Sequence, residues 1–387
     1  MRVSVVQNNL TFKSKDVVLY SDFDGTFLQP GAINNDYFQA FDEFRRERDG
    51  KFKIFITTGR RLQDGFGHGF LDAYENLKSQ NLDLPKLEGV ITAGGGDMFC
   101  FKQNGEIDST PHAGKRALVK TKTGWDVDFV LENLRNIAQN LKTGLDTSYS
   151  RGFHRLALSL DEPMLLEEFA DEAERFFEQN QISAQAKVRE IAPLKEGVKI
   201  APLFMGHRIH KDFDIFAALE KAQRENDFIV VAGNETNDKE LLNLFNYIGE
   251  RKINSCEKIP KSGLEGLVER INKLPIGVVF VDSPVSEVSS KLSAFKKFIE
   301  AQQKLFPDKV RIVKLTESGG ENSLVQATRE LTKKYFADTP PQAAPTKPPA
   351  VVKTVNGKYV ALGVILGLTA GGAGVYYLKK HIQTKKD

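Results

Sequence analysis

The run VVLYSDFDGTFL, residues 17–28, is an apolar stretch that ends in two carboxylates, Asp22 and Asp24, with Gly25 and Thr26 directly behind them. A carboxylate can attack phosphorus and form an acyl phosphate, which divides one difficult displacement into two easier ones. Asp22, the first of the pair, suits that role. A second carboxyl two residues along can protonate a departing alkoxide and then activate water, and Asp24 suits that one. Two acids beside a phosphate dianion repel it and each other. Such a site therefore needs a Mg2+ ion, a lysine, a hydroxyl and the N–H groups of a Gly-bearing turn as compensation. Thr58 and Arg60 of ITTGR, residues 56–60, can supply two of these. Asp, Gly and Thr also favour an ordinary turn between strand and helix, so the motif takes its meaning from what stands beside it.

Elements capable of gathering these groups follow from the apolar pattern. DVVLYSD (16–22), KFKIFITT (51–58), EGVITAG (88–94), DFIVVAG (227–233) and IGVVFVDS (276–283) read as short buried strands. Helical patterns such as DYFQAFDEFRRER, DFDIFAALEKAQREN and SKLSAFKKFIEAQQKLF alternate with several of them. That alternation predicts an α/β fold with a parallel sheet, whose reactive groups collect at the carboxyl ends of the strands. Asp22, the pair Thr57 and Thr58, and GNETND (233–238) each follow such a strand. Residues 95–190 interrupt the alternation and read as an inserted α+β module. Residues 251–336 carry further strand and helix patterns that either extend the same sheet or form a small α/β appendage.

The 387 residues are 41% hydrophobic, enough for a sizeable core and more than one domain. Net charge is +3, but seven lysines after Thr346 against Asp387 put about +6 in the tail and leave about −3 for the rest. With no dense Lys/Arg stripe in the body, nucleic acid is excluded as its expected partner. Cys100 and Cys256 form neither a CxxC pair nor a disulfide framework, which fits a reducing compartment. The first sixteen residues hold no continuous apolar core of a secretory signal, so a cytoplasmic body is expected. Residues 359–378, YVALGVILGLTAGGAGVYYL, run without a charge and read as a transmembrane helix, with Tyr359, Tyr376 and Tyr377 at its ends and lysines on both sides. Gly363, Gly367 and Gly371 give it the four-residue small-residue spacing that permits self-association. Residues 337–358 hold five prolines and read as an extended spacer, up to roughly 65 Å long at ~3.1 Å per residue; residues 379–387 form a basic tail.

DFDGT at 22–26, TTGR at 57–60, a lysine opening a helix at Lys211 and GNETND at 233–238 resemble, in order and spacing, the four motifs of the haloacid dehalogenase superfamily. The TGR form and the long insertion resemble its C2-capped branch. GVITAGGGDMF (89–99) and GWDVDFVLENL (124–134) are similar to stretches of sucrose-phosphate phosphatases. The resemblance, which covers roughly residues 16–250, implies a Rossmann-like core of residues 1–94 and 191–250 with a C2-type cap at 95–190. It implies a Mg2+-dependent phosphomonoester hydrolase acting on a sugar phosphate. In that reading Asp22 is nucleophile and metal ligand, Asp24 is acid/base and gives a carbonyl ligand, and Thr58 donates to the phosphoryl group, with Thr57 as its alternative. Lys211 neutralises charge, with Lys195 and Lys199 as weaker substitutes. Gly25, Thr26, Gly59 and Arg60 face the substrate, and Asn234 and Asp238 complete the metal site. Asn234 departs from the family pattern, which has an aspartate there. Glu235 is an alternative ligand, and loss of that charge leaves open a non-catalytic ligand-binding or scaffold protein; a sugar phosphomutase is a further alternative.

Overall fold

All five apolar runs form strands of one sheet. The computed structural model describes residues 15–29, 33–63, 68–151, 154–188, 202–253, 256, 259, 261–282, 290–315 and 323–338. In chain order the first part comprises β1 (Val17–Ser21), α1 (Asn35–Glu47), β2 (Phe52–Thr57), α2 (Phe70–Ser79), β3 (Gly89–Thr92) and β4 (Asp97–Cys100). The middle part comprises α3 (Ala113–Thr123), α4 (Val127–Asn140), β5 (Leu145–Arg151), β6 (Arg155–Leu160), α5 (Leu166–Gln179), β7 (Ala184–Val188) and β8 (Leu203–His207). The chain then forms α6 (Phe213–Glu225), β9 (Phe228–Gly233), α7 (Lys239–Leu242), α8 (Lys261–Asn272), β10 (Ile276–Asp282), α9 (Ser290–Leu305), β11 (Val310–Lys314) and α10 (Ser323–Asp338).

The larger sheet has the order β11-β10-β9-β1-β2-β3-β4 and is parallel apart from the β3–β4 pair. β9 is buried along its whole length and β1 along most of it, as expected for strands covered on both faces. From β1 the chain moves outward through β2 and β3, then returns to the other side of β1 as β9 and continues outward to β11. The strand order thus reverses between β1 and β9, the point where an open α/β sheet leaves a crevice at its carboxyl end. Ser21 stands level with Ala232 on one side and Ile56 on the other, so the residues after all three strands emerge together.

Strand pairing assigns residues differently from the linear boundaries expected above. β4 pairs with β3 in the larger sheet, although the inserted module was expected to open at residue 95. β8 lies between β6 and β7 in the smaller, antiparallel sheet β5-β6-β8-β7, although the core was expected to resume at residue 191. α4 and α5 cover this sheet, with Trp125, Leu134, Phe169 and Phe177 fully buried against its inner face. The segment after the fourth motif is continuous with the larger sheet through β10 and β11. Among the described residues no helix is long and apolar enough to cross a membrane. The expected span at 359–378, with its glycines, the spacer beyond residue 338 and the basic tail lie outside the described residues.

Lys309, just before β11, is buried; its ammonium donates to the Leu274 carbonyl and lies 5.9 Å from the Phe228 ring centroid. Burial lowers its pKa to about 8, with Asp308 opposing. A lysine whose folded pKa lies below its unfolded value of 10.5 weakens the fold while charged and stops doing so as pH rises through that interval. Lys309→Met should therefore be more stable than the parent at pH 7 by about 2 kcal/mol, with the gap closing toward pH 10. Urea unfolding of both proteins at the two pH values checks this; a gap that does not change with pH would contradict it.

Candidate active site

The carboxyl end of β1 is held open by a tight loop. Phe27 N donates to Asp22 O at 3.1 Å, Leu28 N to Phe23 O at 2.9 Å and Gly25 N to Leu28 O at 3.1 Å. Phe23 and Phe27 turn inward, where Phe70, Phe38 and Phe41 surround them, and Tyr37 donates its hydroxyl to Phe27 O at 2.6 Å. This aromatic footing fixes the loop and with it Asp22 and Asp24, which flank Phe23. Asp22 is buried, and its own N–H continues the ladder to Ala232 O at 2.9 Å. Gly25 has φ +75°, and a Cβ there would lie 2.3 Å from Asn234 Nδ2. Glycine is thus required both by the backbone and by the amide pressed against it.

Three segments converge on a single ammonium. Lys211, in the turn that opens α6, donates to Asp22 Oδ1 at 2.5 Å and to Asp238 Oδ1 at 2.6 Å, and all three side chains are buried. Asp238 is fixed from its other oxygen as well, since Oδ2 accepts Asn234 N at 3.0 Å and Glu235 N at 3.2 Å. The chain after β9 wraps around that carboxylate so closely that a Cβ on Gly233 would lie 2.6 Å from Asp238 Cβ. Burial, followed by the neighbouring Asp238 charge, pushes Asp22 up to about 8 against the opposing pull of Lys211, and Asp24 adds to the rise. For Lys211 burial works against the charge, but the Asp238 and Asp22 carboxylates outweigh it and hold the ammonium well above its ordinary value.

Asp24 points elsewhere. Arg60 grips its carboxylate with both prongs, Nε to Oδ2 at 2.7 Å and Nη2 to Oδ1 at 2.8 Å, and donates from Nη1 to the His68 carbonyl at 2.8 Å. Both groups are partly solvent-exposed. Thr58 is buried at the end of β2, and its hydroxyl accepts Arg60 N at 3.1 Å, which leaves its own proton to donate. The alternative, Thr57, is also buried, and its Oγ1 has no hydrogen-bond partner. Gly59 faces open space. Thr26 donates to Asn234 Oδ1 at 3.1 Å. Glu235 accepts from Asn237 Nδ2 at 3.2 Å. Lys195 and Lys199 lie outside the described residues.

No group of three His, Cys, Asp or Glu side chains among the described residues forms a metal cluster. The donor set nevertheless fits a hard cation by type, because Asp22, the Asp24 carbonyl and the Asn234 amide contribute only oxygen. Asn234 stands directly against the Asp-bearing turn, as its close approach to Gly25 requires. Asp238, expected as a further ligand, instead has Oδ1 on Lys211 and Oδ2 on two main-chain amides, so the set holds one carboxylate and a Mg2+ ion would rely on water and ligand phosphate for the rest.

Sequence spacing gave no sign of a buried histidine pair beneath this site. Antiparallel pairing of Arg155 with Gly206 sets His154 across from His207, and their rings meet at 2.8 Å from His207 Nε2 to His154 Nδ1. Only strand register, a nonlocal property, brings these residues together.

No family model matches the sequence, and no curated protein matches it. Its neighbours among solved structures are haloacid dehalogenase superfamily phosphatases. A sucrose-phosphatase from Synechocystis, solved with sucrose and phosphate, is 14% identical, covers 82% of this chain and 98% of its own, and has a TM-score of 0.40. A haloacid dehalogenase-like hydrolase from Bacillus subtilis is 14% identical over 67% of this chain and 96% of its own, at a TM-score of 0.40. A phosphatase of the same superfamily from Bacteroides thetaiotaomicron is 14% identical over 83% of this chain and 97% of its own, at 0.34. Identities and scores this low carry no assignment of activity, and what the site can do rests on its own atoms.

Proposed function

We propose that the chain is a phosphomonoester hydrolase of the haloacid dehalogenase type, working through an aspartyl phosphate on Asp22. The observation that supports this best is the buried ammonium of Lys211 held at 2.5 Å from Asp22 and 2.6 Å from Asp238 at a strand-order reversal. In the first displacement an Asp22 oxygen bonds to phosphorus, the phosphorus–ester oxygen bond breaks, and the leaving oxygen takes a proton from Asp24. In the second, Asp24 takes a proton from water, the water oxygen bonds to phosphorus, and the bond to Asp22 breaks. Ester and water become alcohol and inorganic phosphate. Lys211 balances the charge of Asp22, and Thr58 donates to a phosphoryl oxygen. Arg60 must loosen its grip on Asp24 for proton transfer, and the incoming phosphate is a competing partner for its guanidinium. When bound, Mg2+ held by Asp22, the Asp24 carbonyl and Asn234 supplies further positive charge against the phosphoryl oxygens.

A sugar phosphate is the proposed substrate class, selected by the smaller sheet and its helices, with support from the sequence resemblance in that region. The proposed setting is a membrane, with residues 359–378 as a single C-terminal anchor, a cytoplasmic body and self-association through Gly363, Gly367 and Gly371. A second reading, a membrane-tethered module that retains a phosphate ester without turning it over, is favoured by the neutral Asn234 and by the Arg60 clamp on Asp24.

Phosphate release by the full chain against a sugar-phosphate panel, with and without Mg2+, separates the two. The hydrolase reading expects Mg2+-dependent release that Asp22→Asn lowers by at least about 10³-fold. Tight retention of an ester with no release above the Asp22→Asn background would favour the binding module instead. Asn234→Asp adds the missing carboxylate and should lower the Mg2+ concentration for half-maximal rate by roughly 10-fold, measured by Mg2+ titration at fixed substrate. An unchanged titration would remove Asn234 from the metal site.

A further inference from the structure

The segment that delivers Lys211 is held by a chain of contacts running from the larger sheet through both histidines. Asp97, the first residue of β4, accepts Arg116 Nε at 2.9 Å and lies 3.0 Å from His154 Nε2. His154 Nδ1 meets His207 Nε2 at 2.8 Å, and His207 Nδ1 accepts the Ile209 N–H at 3.2 Å. These contacts fix the tautomers. An N–H aimed at His207 Nδ1 requires a lone pair there, so the His207 proton sits on Nε2 and is donated to His154 Nδ1. The His154 proton is then on Nε2, facing Asp97. Both rings are buried, and burial lowers the proton affinity of His154, with Arg116 and Lys115 acting in the same direction and Asp97 against them.

Little space is left for this chain to shift. A Cβ on Gly96 would lie 2.5 Å from His154 Cγ, and one on Gly95, whose φ is +105°, would lie 2.4 Å from the His210 carbonyl oxygen. The loop before β4 therefore presses on the segment between β8 and α6 just ahead of Lys211. On the far side of Lys211, buried Lys115 reaches Asp214 Oδ1 at 2.6 Å.

We propose that His154 and His207 are positioning residues: their chain of contacts from Asp97 to the Ile209 N–H sets the backbone two residues before Lys211 and thereby places its ammonium between Asp22 and Asp238. Neither imidazole reaches the reacting atoms in this account. Its catalytic consequence rests on the phosphatase reading, but the placement of Lys211 does not.

Two readouts on the full chain separate these dependencies: acetic anhydride labelling of Lys211, read by peptide mass spectrometry, and kcat with KM on whichever phosphate ester is turned over. His207→Leu and His154→Leu should speed Lys211 labelling by about 10-fold or more and lower kcat by roughly 10- to 100-fold with KM changed less than about 3-fold. His207→Asn keeps an acceptor for the Ile209 N–H but is too short to reach His154, so its labelling should fall between that of the parent and that of His207→Leu. Leu134→Ala, a cavity in the core beneath α4, is the control for simple destabilisation and should leave Lys211 labelling unchanged. Faster labelling in the leucine variants of a protein without phosphatase turnover would support the positioning role while the hydrolase reading falls. Unchanged labelling in folded His207→Leu, or equal acceleration in Leu134→Ala, would overturn the positioning role whatever the activity; if His207→Leu does not fold, unchanged labelling in folded His154→Leu would do the same.

Discussion

Burying Asp22 and Asp238 beside one another is tolerable only because Lys211 stands between them at 2.5 and 2.6 Å. Two like charges removed from water would each carry a desolvation cost of several kcal/mol, in addition to their mutual repulsion. The compensation is unequal. Asp238 accepts Lys211 and two main-chain amides, whereas among the described residues the Asp22 side chain accepts Lys211 alone. Asp238 is thus saturated and suited to holding the lysine, while Asp22 retains unspent acceptor capacity and a raised proton affinity. An electrophile or cation entering the crevice finds a partner in Asp22, whose second carboxylate oxygen is not taken by Lys211.

Topology explains why these groups, so far apart in the chain, share one place. The reversal of strand order between β1 and β9 brings the Asp22 turn beside the loop that carries Asn234 and Asp238. Lys211 arrives by a different route, on the strand that leaves the smaller sheet: β8 ends at His207, and four residues later the chain is in the crevice. The third side of the site is therefore delivered by the inserted module. Any motion of the smaller sheet relative to the larger one acts on the ammonium through a short tether whose middle is held by the histidine chain and the Gly95 contact.

Much of this could be read in the chain. An apolar run ending in two acids announced the β1 turn, and five short apolar runs announced the main strands, since strands buried on both faces leave a continuous apolar signature. β4 and β8 were harder. Their sheet membership is decided by which strand they pair with, and neither period nor composition carries that information. Lys211 ranks above Lys195 and Lys199 because those two precede the expected helix start, and its role comes from the resemblance, since a lysine taken singly reads as a solvated surface residue. His154 and His207 read as scattered for the same reason as β8: fifty-three positions separate them, and only antiparallel register makes them neighbours. The Arg60 grip on Asp24 had a clearer signal, as an arginine close behind a strand adjacent to two carboxylates is a ready bidentate partner.

Asn234 finally shows how one amide sets the balance of the crevice. Its Oδ1 accepts Thr26 and its Nδ2 lies against Gly25, so both ends of the amide pack on the Asp-bearing turn. An aspartate there could serve only as acceptor. It would also change the charge count: with Asp22 ionised, as its role as nucleophile requires, Asp22, Asp24 and Asp238 stand against Lys211 and Arg60, an excess of one negative charge. A fourth carboxylate would make it two and would bind a hard cation more firmly, but it would repel a phosphate dianion more strongly whenever that cation is absent. With asparagine, the cation-free crevice is the less hostile of the two to phosphate, and a phosphate arriving first brings the oxygen charge that a cation then needs. In the proposed hydrolase, metal and phosphate would then be mutually dependent ligands of a site whose protein charge alone suits neither fully.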